Sequence, residues 1–334
     1  MVNRLDPAWL AHRYDESNDT IRFVRYERHE RAAVPFLIDG LLPSREFQPL
    51  SRSEARQQAG DAPVHFIFHS GFCCSTLLAA ALDQPGLASS FSEPTILNDA
   101  IGWRLRGAPV GDVGELVDDA LRLLGRPFAG DPASILKPST VVNGLAEAML
   151  AIRPQARAVL MYAPLRDFLI SIAKKGLEGR LWVRDLLLKC RAERRTEVLG
   201  FSDYDLLGQT DLQVAALDWL MQQAVFARLV ERFPDRVRSL SSESFLGQPE
   251  ETIRLASALF GLPLKPENVA SAMNGAMRQN SKDGSPFGPH ERRKDYDAAY
   301  RAHADEVDKV LVWAEHVAKA AGLTMSLPEP LIHS

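Results

Sequence analysis

The stretch VHFIFHSGFCCSTLLAAALDQPG, Val64 to Gly86, decides the fold. Val64 to Phe68 is a short apolar run with aromatic and β-branched content, the mark of a buried strand. Thr76 to Leu82 carries leucine and alanine at helical spacing, and Pro85-Gly86 closes it. Between them, His69 to Ser75 is a loop of mostly small residues. A strand, such a loop and a hydroxyl-bearing helix start together make an anion cradle. Loop N–H groups converge, the helix N-terminus adds partial positive charge, and hydroxyls donate. The stretch predicts a phosphate-binding loop made of His69, Ser70, Gly71, Phe72, Cys73, Cys74, Ser75 and Thr76. An ordinary tight strand-to-helix turn is the competing reading. The triphosphatase form G-x-x-x-x-G-K-[ST] is not met, because Ser75 stands where its lysine would be.

Beyond the loop, the composition is that of a globular chain. Its 334 residues, 46% hydrophobic and 25% charged, suffice for one large α/β domain or two modest ones. A net charge of −4 gives no general attraction to nucleic acid or to a membrane surface. No apolar run reaches the length of a membrane span, and the N-terminus MVNRLDPAWLAHRYDESND lacks a signal-peptide core. Three cysteines, two of them adjacent, make no disulfide framework. The histidines show no metal-ligand spacing. The expectation is a cytoplasmic protein without a metal, with neither nucleic acid nor membrane among its partners.

Strand and helix signals alternate along the rest of the chain. Thr20 to Arg25 and Val34 to Ile38 read as strands, and Ser51 to Gly60 as a short helix or linker. Ala88 to Phe91 leads into Ser92-Glu93-Pro94, where the proline forces the preceding residue out of helical geometry. Val113 to Leu124 is an amphipathic helix. Ser134 to Leu136 is a short strand ending in Lys137-Pro138, and a helix follows from about Val141 to Ile152. Ala156 to Tyr162 is a strand and Arg166 to Lys175 the helix after it. A long helix covers Ala215 to Arg232, a strand Val237 to Leu240, and a final helix Tyr300 to Ala321. Asn280 to Asp295 reads as a basic loop. Alternation of this kind predicts an α/β fold, three-layered around a central parallel sheet. Residues 1–60 read as an N-terminal segment packed on the core, and 61–330 as the phosphate-loop domain with a helical insert near 176–215. Ligands in such sheets bind at the carboxyl ends of strands. Four polar stations fall there: the loop 69–76, Glu93, Lys137, and Arg166 with Ser171.

Three segments, in order, resemble the sulfotransferases that use 3′-phosphoadenylyl sulfate. They are the loop ending in Ser75-Thr76-Leu77-Leu78, the R-D-x-x-x-S of Arg166 to Ser171, and S-E-S-F-L-x-x-P-E-E followed by F-G-L-P, Ser242 to Pro263. The resemblance covers roughly residues 64–264 and implies a P-loop-like fold. It implies that the first loop holds the 5′-phosphosulfate and that Arg166 and Ser171 hold the 3′-phosphate. It implies that Glu93 deprotonates the acceptor, and that Lys282, Arg292 and Arg293 belong to a basic segment closing over the nucleotide. Two family positions differ: an arginine of the second motif would fall at Ala163, and the basic residue of the loop at Phe72 or His69, depending on the anchor.

The chemistry stands beside the resemblance. Sulfuryl transfer through a loose, in-line transition state needs a cation at the leaving oxygen and a base for the acceptor proton. Lys137 is the candidate cation, and Glu93 the candidate base; a solvated lysine and a helix-start carboxylate are their plain structural readings. The expected activity is sulfuryl transfer from 3′-phosphoadenylyl sulfate to a hydroxyl or amine of a small molecule or peptide. Two alternatives stay open. A kinase using ATP and Mg²⁺ would need a carboxylate at a neighbouring strand end, and neither Tyr162-Ala163-Pro164 nor Lys137-Pro138-Ser139 supplies one. A non-catalytic nucleotide-binding protein of the same fold would account for Ala163 and the missing loop lysine.

Overall fold

A computed structural model describes residues 5–278 and 289–332, with side chains from 293 onward in the second stretch. Among the described residues there are eight strands, β1 (Trp9–Asp15), β2 (Thr20–Arg25), β3 (Phe47–Ser51), β4 (Val64–His69), β5 (Ser89–Ser92), β6 (Ser134–Lys137), β7 (Ala158–Tyr162) and β8 (Val237–Ser241). They form a three-stranded antiparallel sheet, β1-β2-β3, and a five-stranded central sheet in the order β5-β6-β4-β7-β8. The chain is α/β with a parallel central sheet flanked by helices, as the alternation of signals predicts. No helix among the described residues is long and apolar enough to cross a membrane.

By its internal contacts the chain divides into two compact units. One takes residues 1–68, 75–159 and 249–286; the other takes 69–74, 160–248 and 287–334.

In the first unit, β4 is buried along its length, and the rings of Phe66 and Phe68 stack at 5.2 Å. The helix Ser75–Leu82 buries Leu77, Leu78, Ala81 and Leu82 and packs on β5 and β6. β6 pairs in parallel with β4 (Val64↔Ser134) and with β5 (Ser92↔Lys137). The helices Thr95–Leu105 and Val110–Leu124 pack on each other and on β1. The segment after Lys137 opens as a 3₁₀ turn, Thr140–Leu145, before the helix Ala146–Ile152.

In the second unit, the helix Asp211–Arg232 is the hub. It packs on the helices Leu165–Lys174, Gly176–Ala192 and Pro289–Ala320. Trp219, Phe168 and Phe226 are fully buried there. The indole N–H of Trp219 donates to the carbonyl of Ala163 at 2.8 Å, which fixes the turn after β7. The S-E-S-F-L segment becomes the helix Ser242–Gly247, whose N-cap Ser241 Oγ accepts from the N–H of Ser244 at 3.0 Å.

Three local expectations are corrected. Val34 to Ile38 is not a strand but a run of turns, because Pro35 lacks a donor and Leu37 gives its N–H to the carbonyl of Ser92 (2.8 Å). β1 and β3 were not expected. The last helix starts at Pro289, a residue well suited to a helix first turn, so residues 289–295 are helical rather than loop.

Candidate functional site

In the first unit the register Ser92↔Lys137 sets the geometry. Glu93, the next residue after β5, lies at the end of β6 and gives its N–H to the carbonyl of Lys137 at 2.6 Å. Its side chain turns to the same residue: Lys137 Nζ donates to Glu93 Oε1 at 2.6 Å. The lysine is fully buried, whereas the glutamate side chain keeps 18% of its exposure. The face of Phe36 lies 4.9 Å from Nζ. Removing an ammonium from water costs several kcal/mol, and a carboxylate together with an aromatic face offsets that cost. Glu93 has φ +52°, left-handed backbone that costs a non-glycine residue roughly 1–2 kcal/mol. Such strain persists where the surroundings over-determine it, and it gathers at functional positions. Here Pro94 opens the helix Thr95–Leu105, Thr95 Oγ1 donates to Leu37 O, and the Lys137 carbonyl holds the amide. Ser139, two residues beyond Lys137, donates its hydroxyl to Asn98 Oδ1. The pair can therefore present a carboxylate oriented by a buried cation, with the carboxylate the more accessible partner.

In the second unit the loop His69–Cys74 is tied down at several points. Ser70 N–H donates to Met161 O (3.0 Å), Cys73 Sγ to the same carbonyl (3.4 Å), and Gly71 N–H to His69 Nδ1 (3.1 Å). In this conformation the amides of Ser70 and Gly71 hold the loop's own shape. Gly71, Phe72 and Cys74 all have left-handed φ, +86°, +52° and +63°. Successive turns of this kind make the concave backbone that anions occupy. The left-handed Phe72 is anchored by its ring, which stands edge-on to Trp182 (centroids 5.4 Å) and to Phe168 (5.9 Å). Ser75 and Thr76, the following residues in the chain, belong to the first unit and open its helix Ser75–Leu82.

The same unit holds Arg166 and Ser171 on the helix Leu165–Lys174. The guanidinium of Arg166 lies 4.2 Å over the ring of Tyr300. Ser171 Oγ donates to Asp167 O (2.8 Å) and shares a hydrogen bond of 2.6 Å with Tyr296. Lys174 pairs with Asp295 at 2.8 Å. The start of the last helix thus covers the face on which the sequence places phosphate recognition. Lys282 lies outside the described residues, as does the side chain of Arg292.

The structure joins Glu93 to Lys137, and it joins Phe72, by way of Phe168, to the helix bearing Arg166 and Ser171. Sequence reasoning missed Phe36, Asn98, Ser139, Tyr296 and Tyr300. A signal for the tyrosines was present: their i, i+4 spacing puts both on one helix face. Among the described residues no three or more His, Cys, Asp or Glu side chains gather as metal ligands would.

No family model matches the sequence, and no curated protein matches it. Among solved structures, sulfotransferase STF9 from Mycobacterium avium aligns over 77% of this chain and 79% of its own, at 15% identity and a TM-score of 0.44. The sulfotransferase domain from the curacin biosynthetic pathway aligns over 81% of this chain and 100% of its own, at 13% identity and a TM-score of 0.44.

Proposed function

We propose that this chain transfers a sulfuryl group from 3′-phosphoadenylyl sulfate to a hydroxyl or amine of a small molecule or peptide, in the cytoplasm. The observation that carries the reading is the Glu93–Lys137 pair, a partly accessible carboxylate 2.6 Å from a buried ammonium at the ends of neighbouring strands. In the reaction the bond from sulfur to the bridging oxygen of the nucleotide breaks as the bond from sulfur to the acceptor forms. Glu93 takes the acceptor's proton. Negative charge grows on the leaving oxygen through a loose, in-line transition state, and Lys137, buried behind Glu93, is assigned the role of the nearby positive charge, acting through its field and by holding the carboxylate rather than by contact. The 5′-phosphosulfate is assigned to the loop His69 to Thr76, and the 3′-phosphate to Arg166 and Ser171. Lys282 and Arg292 are assigned to the segment that closes on the nucleotide.

A second reading, nucleotide binding without turnover, is favoured by Ala163, which stands where the second motif would carry an arginine, and by the absence of a lysine from the loop His69 to Thr76. Thermal shift and a turnover assay separate the readings, because a ligand that binds only the folded state raises its stability. Adenosine 3′,5′-bisphosphate is expected to stabilise the protein without metal, and 3′-phosphoadenylyl sulfate to be consumed in the presence of an acceptor. Stabilisation without consumption selects the second reading. Stabilisation only by ATP with Mg²⁺ overturns both in favour of a kinase.

A further inference from the structure

The first unit carries a polar cleft of about 360 Å³, the size of small-ligand sites, whose lining includes none of the residues assigned above to sulfuryl transfer. Three ion pairs line it. Arg13 holds Asp99 bidentately, with Nε and Nη2 each 2.9 Å from a carboxylate oxygen. Arg22 Nη2 donates to Asp15 at 2.8 Å, and Arg106 Nη2 to Glu16 at 2.7 Å. Three guanidiniums against three carboxylates leave the lining with no net charge. An anionic ligand meets three carboxylates there and a cationic one three guanidiniums, so charge selects neither. Hydrogen bonding does select. A guanidinium has five N–H donors and a carboxylate about four lone-pair sites, so the Arg22–Asp15 and Arg106–Glu16 pairs still offer both kinds after forming, whereas Asp99 is fully engaged by Arg13 and the Tyr14 amide. Hydroxyl groups, which donate and accept at once, match such an array.

Two further features point the same way. Gly102 sits inside the helix Thr95–Leu105, where glycine costs about 0.5–1 kcal/mol relative to alanine. A Cβ there would lie 3.0 Å from Arg106 Nη1, so the glycine leaves room for that guanidinium against the helix. Tyr14, itself buried, also lines the cleft, and its ring lies against that of Trp103 at 5.2 Å between centroids. Asn98 links the cleft to the Glu93–Lys137 pair. It lines the cleft from the helix that follows Glu93, and it accepts from Ser139, two residues past Lys137.

We propose that this cleft binds a neutral, polyhydroxylated ligand of sugar type, and that this ligand is the acceptor whose hydroxyl is presented to Glu93. The acceptor role rests on the sulfuryl-transfer reading; binding does not. The test uses the full chain without nucleotide, with maltotriose, cellotriose and chitotriose as neutral probes, trigalacturonate as anion, spermidine as cation and glycylglycine as zwitterion. Saturation-transfer NMR and calorimetry are expected to show at least one neutral trisaccharide binding in preference to all three charged probes. Gly102→Ala and Arg106→Ala are each expected to weaken that binding at least about tenfold, Gly102→Ala without lowering the melting temperature. Gly102→Ala improves helix propensity, so it keeps the test informative if Arg106→Ala destabilises the fold. Failure of every neutral probe, preference for a charged one, or insensitivity to both variants overturns the proposal. If binding behaves as expected but mass spectrometry finds no sulfated sugar with the donor present, the acceptor role and the transfer reading fall while the binding site stands.

Discussion

Lys137 and Glu93 are joined twice, by Nζ to Oε1 at 2.6 Å and by the Glu93 N–H to the Lys137 carbonyl at 2.6 Å. The side chains cannot separate freely, because the main-chain bond holds the two strand ends in register. The carboxylate is thereby preorganised, which is where a base gains most.

Two substitutions separate structure from chemistry in this pair. Lys137→Ala leaves Glu93 without its buried partner and is expected to cost about 3–5 kcal/mol, read from the urea midpoint. Glu93→Gln keeps the shape and a hydrogen-bond acceptor. It is expected to lower turnover at least about 100-fold while nucleotide affinity changes by less than about twofold. Unchanged turnover in that variant removes Glu93 as the base.

Phe72 sets a left-handed backbone against a favourable aromatic contact. Truncation to alanine loses the ring and keeps the strain, whereas glycine loses the ring and relieves it. Phe72→Gly is therefore expected to be more stable than Phe72→Ala by about 1 kcal/mol, the reverse of the usual order. Both variants are expected to weaken nucleotide binding by roughly tenfold, since the loop loses its anchor. Equal melting temperatures for the two would show that the backbone at this position is not strained.

The tyrosines of the last helix make a competition prediction. A 3′-phosphate has to share or displace the contacts of Arg166 with Tyr300 and of Ser171 with Tyr296. An exposed cation–π contact is worth about 0.5–1 kcal/mol, so Tyr300→Ala is expected to tighten adenosine 3′,5′-bisphosphate by roughly two- to fivefold. Arg166→Ala is expected to weaken it about tenfold, with adenosine 5′-monophosphate unaffected. Calorimetry that finds equal losses for both nucleotides would detach Arg166 from the 3′-phosphate.

His65 gives the fold a pH dependence. Its ring stacks on Phe260 at 5.1 Å, and Nδ1 accepts the N–H of Arg157 at 3.2 Å. Burial, with a lesser push from the Arg157 charge, takes the imidazole down to about 4. The folded state therefore favours neutral histidine. The associated stability is complete above the unfolded value near 6.5 and is lost as pH falls from there toward 4. Between pH 7 and 4.5 this group is expected to remove roughly 2–3 kcal/mol. His65→Asn keeps an acceptor for Arg157 and cannot titrate, so its urea stability is expected to fall by that much less over the same interval. Parallel curves for the two proteins would exclude His65 as the source.

The central sheet was legible through three short strands that are buried on both faces. β4 is the clearest case, an unbroken run buried end to end, and β6 and β7 follow it. The antiparallel sheet was half hidden, for two local reasons. β3 contains Pro49, which reads as a linker but is tolerated because the strand pairs only with β2 and forms an edge. In β1 the alternation of buried and exposed residues is broken between Ala11 and Arg13, so no period of two shows. In the candidate site, Glu93 and Lys137 were visible as polar residues at strand ends. Their mutual contact was not, since it depends on the register of β5 against β6, to which spacing along the chain is blind. The same holds for Phe36, whose apolar neighbours suggested a strand.

The irregularity in β1 has a consequence for length variation. Ala11 faces Phe23 and Arg13 faces Arg22, so His12 is one residue more than the partner strand can match. Without that surplus residue, Ala11 opposite Phe23 and Arg13 opposite Arg22 become successive pairs of an unbroken ladder, so Arg13 keeps its partner and its face. Deletion of His12 is thus expected to spare both the hydrophobic interior and the fork of Arg13 on Asp99, and to remove only the contact of His12 with Asp39.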